Sequence, residues 1–394
     1  MRIYLDWNAT TPPLSAVLDA MRDVAGRTWG NPASIHADGR AARAVVEDAR
    51  AAVASLAGGD ARDVVLTGGG TEANNIAMRS AFPSRVGDAG AAPWLLTSRL
   101  EHPSITRVAE ALEREGRARV GWVRASESGV VDLGDLEASI ARVRADGGAL
   151  ALVTVQAVNH ETGVVQPVRD VIAMAHAAGA RVHVDAVQAW GKVDTTLLAD
   201  ADTTSLAAHK IRGPKGVGAL VARAGLALTP VLLGGAQEKG LRPGTVDPVL
   251  AAGLGIAARI AAGGHVRYAR IAKLRDAFED ELLALAQGER APRIAGDRSR
   301  RAPHVSLLVW PGWSGAELVA ALDLEGVSVS SGAACSAGTI EPSPVIAAML
   351  GDRDAASGVR TSLGEETTDA ELSRAREAFR AVVSRGEKVP LRAG

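Results

Sequence analysis

One cysteine stands among 394 residues, so no disulfide can form within the chain, which suits a reducing compartment. Aromatic residues are nearly as scarce, at 3%, so a core has to be built mainly from Ala, Val and Leu. The net charge is −1 and no long block of like charge occurs, which argues against nucleic acid or an anionic membrane as the main partner. No apolar run approaches the roughly 18 residues that suggest a membrane span. The start, Met1-Arg2-Ile3-Tyr4-Leu5-Asp6, lacks the apolar stretch of a secretory signal. The expectation is a cytoplasmic protein with no membrane or nucleic-acid partner. An apolar share of 47% and a charged share of 23% are ordinary for a soluble globular chain. The length gives a soft prior of about two or three domains.

From about residue 60, short apolar runs alternate with longer amphipathic stretches. The runs lie at 63–67, 94–97, 120–123, 149–155, 181–185, 202–206 and 217–221. Helical spacing fills 36–57, 71–79, 103–115 and 166–178, often behind a Pro, Ser or Thr start signal. This predicts an α/β fold, doubly wound around a mainly parallel seven-stranded sheet. After about residue 255 a helix-like stretch (266–287) precedes two short runs, Val305–Val309 and Val327–Ser330, with helical patterns between and after them. The expected organisation is a large domain over 14–255 and a smaller α+β domain formed by 1–13 and 256–394.

In a parallel α/β sheet, ligands bind beyond the carboxyl ends of the strands. Three signals sit there. Val64-Val65-Leu66-Thr67 runs into Gly68-Gly69-Gly70-Thr71, and free N–H groups at such a helix start favour an anion, especially phosphate. By itself the cluster is as easily a steric turn. Asp185 ends a strand, where a carboxylate is commonly a cap, but is also the partner of a protonated pyridine nitrogen in pyridoxal-phosphate (PLP) sites. Lys210 follows a strand within His209-Lys210-Ile211-Arg212-Gly213-Pro214. Most lysines are solvated charges, yet this placement suits an imine with an aldehyde cofactor. Cys335 lies in Ser330-Ser331-Gly332-Ala333-Ala334-Cys335-Ser336-Ala337-Gly338, a stretch with no apolar period. A lone Cys is more often a small buried hydrophobe. The reading here is a loop thiol, which needs a neighbour to become a thiolate because its ordinary pKa is about 8.5.

Ordered blocks nearly end to end then resemble the cysteine desulfurases of the NifS/IscS type, a branch of the class V aminotransferase-type PLP enzymes. They include Leu5-Asp6-Trp7-Asn8-Ala9-Thr10, Gly30-Asn31-Pro32, Thr71-Glu72-Ala73-Asn74-Asn75, Glu101-His102 and Glu161-Thr162-Gly163. His183-Val184-Asp185-Ala186, Arg242-Pro243-Gly244-Thr245, Ser330–Cys335 and Arg360-Thr361-Ser362 continue the series. The resemblance implies a fold type I PLP enzyme that takes sulfur from L-cysteine, leaving L-alanine and a persulfide on Cys335 for an acceptor protein. It implies that Lys210 binds the cofactor and moves protons, that Asp185 meets the pyridinium nitrogen and that Gln188 and position 160 touch the phenolic oxygen. His102 would stack on the ring and serve acid–base steps. Gly70, Thr71 and His209 would hold the phosphate, with Thr245 reaching in from the second subunit of a homodimer. Arg360, for which the forked guanidinium is well shaped, would clamp the substrate carboxylate, with Asn31 also on the substrate.

Two positions depart from the family pattern. His160 stands where Asn is usual, and Ala207 where a phosphate-binding Ser is usual. The rival readings are a selenocysteine lyase or related class V enzyme, and a weakly active scaffold that only docks sulfur acceptors. Cys335 favours desulfuration over the first, and the retained Lys210, Asp185, Cys335 and Arg360 disfavour the second.

Overall fold

The computed structural model describes residues 2–82, 91–332 and 342–386. Its strands, in chain order, are β1 (Ile3–Tyr4), β2 (Val64–Thr67), β3 (Trp94–Ser98), β4 (Arg119–Val123), β5 (Leu150–Gln156) and β6 (Arg181–Asp185). Then come β7 (Thr203–Ala207), β8 (Gly218–Ala222), β9 (Arg293–Ile294), β10 (Val305–Val309), β11 (Val327–Ser328) and β12 (Gly358–Ser362). Seven of them form one sheet in the order β2-β8-β7-β6-β5-β3-β4. β8 is antiparallel to both of its neighbours, and the remaining ladders are parallel. The seven apolar runs of the sequence are therefore the seven strands, in a mainly parallel sheet as expected. β6 and β7 bury every residue but Arg181, which is why they read as continuous runs rather than alternating ones.

The scarcity of aromatics shows in how the helices pack. The helix Pro248–Ala261 lies against the helices Ser15–Arg27 and Ala37–Ala57, presenting Ala251, Gly253, Leu254, Gly255, Ala257 and Ala258. A Cβ on Gly255 would lie 3.0 Å from Ala49 Cα, so small residues on both faces let the two backbones approach. Asp247 caps this helix on the N–H groups of Val249 and Leu250, with Pro248 at its first position. The helix passes through residue 255, where the sequence pattern placed a boundary. Its Ala257, Ala258 and Ala261 belong to the apolar cluster around the large sheet.

A second cluster joins Ile3 and Leu5 to Phe278, Trp310, Leu318, Val327, Val359 and Phe379. Around it β1 pairs with β11 in parallel, and β10 lies between β9 and β12. Three expectations are corrected. The stretch 266–287 is interrupted at Arg270 and ends at Leu283. The run 327–330 is a strand only to Ser328, with Ser330 bridging singly to Arg360. And 358–362, taken with the helical patterns, is the buried strand β12. Gly-Val-Arg-Thr-Ser carries one large apolar side chain, so its sequence does not show that it is buried. Among the described residues no single helix is long and apolar enough to cross a membrane.

Candidate active site

All strands of the large sheet but β8 run in one direction, and the residues that follow β2, β3, β5, β6 and β7 line a cavity of about 310 Å³. β2 delivers Gly70 and Thr71, β3 His102, β5 Gln156 and His160, β6 Asp185 and Gln188, and β7 Ala207, His209 and Lys210. Asn8, Ala9, Gly332 and Arg360 complete the wall. Nine of the candidate residues thus converge. Thr245 and Asn31 do not line this cavity; both are exposed, and the Asn31 side chain accepts from Ala33 N–H at 2.9 Å. Cys335 falls in 333–341, outside the described residues.

Gly70 opens the helix Gly70–Ser80, whose first N–H groups and dipole face the cavity. A Cβ there would lie 2.6 Å from Val187 Cγ2, so only glycine lets the helix start this close to the end of β6. Asp185 is buried and held on every side. Oδ1 accepts from Val187 N–H at 3.0 Å and Ser205 Oγ at 3.3 Å, and Oδ2 from Asn74 Nδ2 at 2.8 Å. Asn74 in turn bonds Ser104 Oγ at 2.8 Å and takes His183 Nε2 on its Oδ1 at 2.9 Å. Burial lowers His183 to about 4, so its ring is neutral and its proton sits on the nitrogen facing the Asn74 oxygen. The sequence reading gave no role to Asn74 or Ser205, since neither residue type marks itself as an aspartate's partner.

His102 caps the helix Pro103–Arg114 with Nδ1, which accepts Ser104 N–H at 3.1 Å. An Nδ1 that accepts leaves the proton of the neutral ring on Nε2. Burial lowers its pKa, opposed by Asp185 and helped by Lys210. The His160 ring meets the His102 ring edge-on at 5.2 Å. Burial, then His102, Arg360 and Lys210, hold it well below the ordinary value, so it is neutral in the physiological range. Beside them Glu101 is fully buried, with Oε1 on Gln156 N–H at 2.6 Å and Oε2 without a partner among the described residues. Burial and the Asp185 charge push this carboxyl well above its usual range.

Lys210 follows β7 on a single helical turn, and its Nζ donates to the Asn8 carbonyl and, at 2.9 Å, to that of Ala9. Burial lowers His209 to about 4. Arg360, on β12, gives Nη1–H to the His160 carbonyl at 2.8 Å and Nη2–H to Asp6 at 2.7 Å. Its buried Nε–H has no partner among the described residues. An amine, a buried carboxylate, a helix start and an arginine with an open N–H therefore surround one cavity. That donor set fits PLP together with an amino-acid carboxylate.

The class-V aminotransferase family model matches residues 3–374. This chain belongs to that family, on its cysteine desulfurase branch. It is 40% identical over 390 residues to a cysteine desulfurase of Cereibacter sphaeroides, covering 97% of this chain and 96% of that one. A cysteine desulfurase of Rhodobacter capsulatus is 37% identical, with 99% of each covered. Among solved structures a NifS-like protein superposes with a TM-score of 0.86 at 29% identity, over 98% of this family member and all of that chain. DndA from Streptomyces lividans gives 0.74 at 31% identity, over 90% and 97%.

Proposed function

We propose that this protein is a PLP-dependent cysteine desulfurase. The observation that carries the reading is the meeting of Lys210, Asp185, the Gly70–Thr71 helix start and Arg360 around one cavity. When bound, PLP supplies an electron sink that weakens bonds in an amino acid joined to it. Lys210 holds the cofactor and, once released, moves protons. Asp185, fixed by Asn74 and Ser205, meets the pyridinium nitrogen, and Gln188 and His160 serve the phenolic oxygen. Gly70, Thr71 and His209 hold the phosphate. A neutral His102 with its proton on Nε2 exchanges that proton with the reacting groups. Arg360 offers its open Nε–H to the substrate carboxylate. The Cys335 thiolate takes the sulfur: an S–S bond forms as the substrate Cβ–S bond breaks, the carbon fragment leaves as L-alanine, and Cys335 keeps a persulfide for an acceptor protein.

The two residues missing from the cavity support a homodimer. Pro32, Ala33 and Val246 line one surface depression, so the neighbours of Asn31 and Thr245 meet. A Cβ on Gly234 would lie 2.7 Å from Pro243 Cβ, which brings Leu233 to the same region. Leu233 is 91% exposed, Ile35 86% and Trp29 79%, bare apolar side chains on the segments that hold these residues, which suits a second copy. Thr245 of that copy then serves the phosphate. The proposed division of the chain is a large domain running from 14 through the helix ending at Ala261, with the remainder in the smaller one. A cytoplasmic location is part of the same reading.

Incubation of wild type and Cys335→Ser with L-cysteine and a reductant tests the assignment. Wild type should yield alanine and sulfide in equal amounts, and the variant should still bind cysteine, read as a change in the visible spectrum, but release no sulfide. Sulfide from the variant at the wild-type rate would instead support the lyase reading.

A further inference from the structure

A second lysine lies behind the cavity wall. Lys192 is 2% exposed, and its Nζ donates to Gln188 Oε1 at 2.7 Å, the one hydrogen bond it makes among the described residues. Among the described residues no carboxylate forms an ion pair with it, although Glu365 lines the same small cavity. The charged and titratable groups around it are Lys210 and Arg360, then His209 and His304, with Arg212, Arg267, Tyr268 and Glu365 lining the same small cavity. Burial and the Lys210 and Arg360 cations hold the amine well below its ordinary range. An aliphatic side chain of similar volume would fill the same space without burying a polar group, so the nitrogen requires an account of its own.

The amide it touches explains the nitrogen. Gln188 lines the cavity, and its Nε2 donates to the Asn8 carbonyl at 2.9 Å. A carbonyl only accepts, so the nitrogen end of the amide has to face Asn8, and Oε1 has to face Lys192. Without a donor at 192 the oxygen end would be buried without a partner, and turning the amide would bring its oxygen toward the cavity. We propose that Lys192 is a positioning residue that fixes the Gln188 amide so that an N–H, not an oxygen, is presented to the cofactor's phenolic oxygen. The inference rests on the reading above that Gln188 serves that oxygen.

A donor on that oxygen favours its ionised form and so lowers the pH at which the visible band of the holoenzyme titrates. Lys192→Met should raise this midpoint by about one pH unit, and Gln188→Leu should raise it at least as far. Lys192→Leu replaces the Met variant if that one does not fold. A shift in Gln188→Leu without one in the 192 variants overturns the role of Lys192 and leaves the reading of Gln188 standing. No shift in either overturns both. A shift in the 192 variants alone shows that Lys192 acts by another route, and also overturns the proposal.

Discussion

At the scale of single residues, Glu161 shows how burial rather than residue type sets behaviour. It is fully buried, with Ser343 Oγ donating to Oε2 at 2.5 Å and His160 Nε2 lying 3.7 Å from Oε1. Gly332, at φ +84°, packs on it so closely that a Cβ would fall 2.6 Å from Oε2. Burial pushes the carboxyl from 4.5 up to about 7, against the Ser343 hydrogen bond and the Arg360 charge. A raised folded-state value means that the unfolded chain gives up the proton first as pH rises. The stability associated with neutral Glu161 is therefore complete below about pH 4.5 and is lost as pH climbs to about 7, an effect of about 3 kcal/mol. Glu161→Gln should flatten that part of the stability-versus-pH curve in denaturant melts. A difference curve with no slope between those pH values would show that the carboxyl is not held neutral. Lys210 and Asp185 were legible in the sequence because their types and strand-end positions name a chemistry. Asn74, Lys192 and the neutral state of His160 were not, because each depends on what the fold packs around an ordinary polar residue.

At the scale of elements, the large sheet was readable because buried parallel strands are short continuous apolar runs, and all seven appeared as such. β12 was not. It is buried for the sake of Arg360, whose placement depends on the N-terminal segment: Asp6 bonds Nη2 and bridges to Ser362. Asn8 fastens the same segment to Ser362 Oγ at 2.9 Å and to His304 at 2.8 Å, so the N-terminal segment meets β12 beside the cavity. No local pattern announces a pairing across more than 350 residues. Asp6→Asn should leave the cofactor spectrum unchanged, because Asp6 does not line the cavity. It should loosen Arg360 and raise the KM for L-cysteine about tenfold, as expected for loss of a charge-assisted contact worth roughly 1.5 kcal/mol. An unchanged KM in steady-state assays would mean that Arg360 is held by its neighbours without Asp6.

At the scale of the whole molecule, the two most populous of the apolar clusters are centred differently, the larger around the seven-stranded sheet and the smaller around β10 and β12. The cavity lies where residues of the sheet's carboxyl edge meet Asn8 and Arg360, so neither part of the chain builds it alone. Composition did indicate an interior built mainly from Ala, Val and Leu. It gave no sign of the contact between the N-terminal segment and β12 that closes the site, because tertiary pairing of distant segments has no compositional signature. One lysine has to carry the cofactor, and a second amine, Lys192, lies behind the cavity wall. Borohydride reduction of the holoenzyme, followed by peptide mass mapping, tests this most directly. The pyridoxyl-phosphate adduct should be found on the peptide containing Lys210; an adduct on Lys192, Lys215 or another lysine, with Lys210 unmodified, would contradict the account.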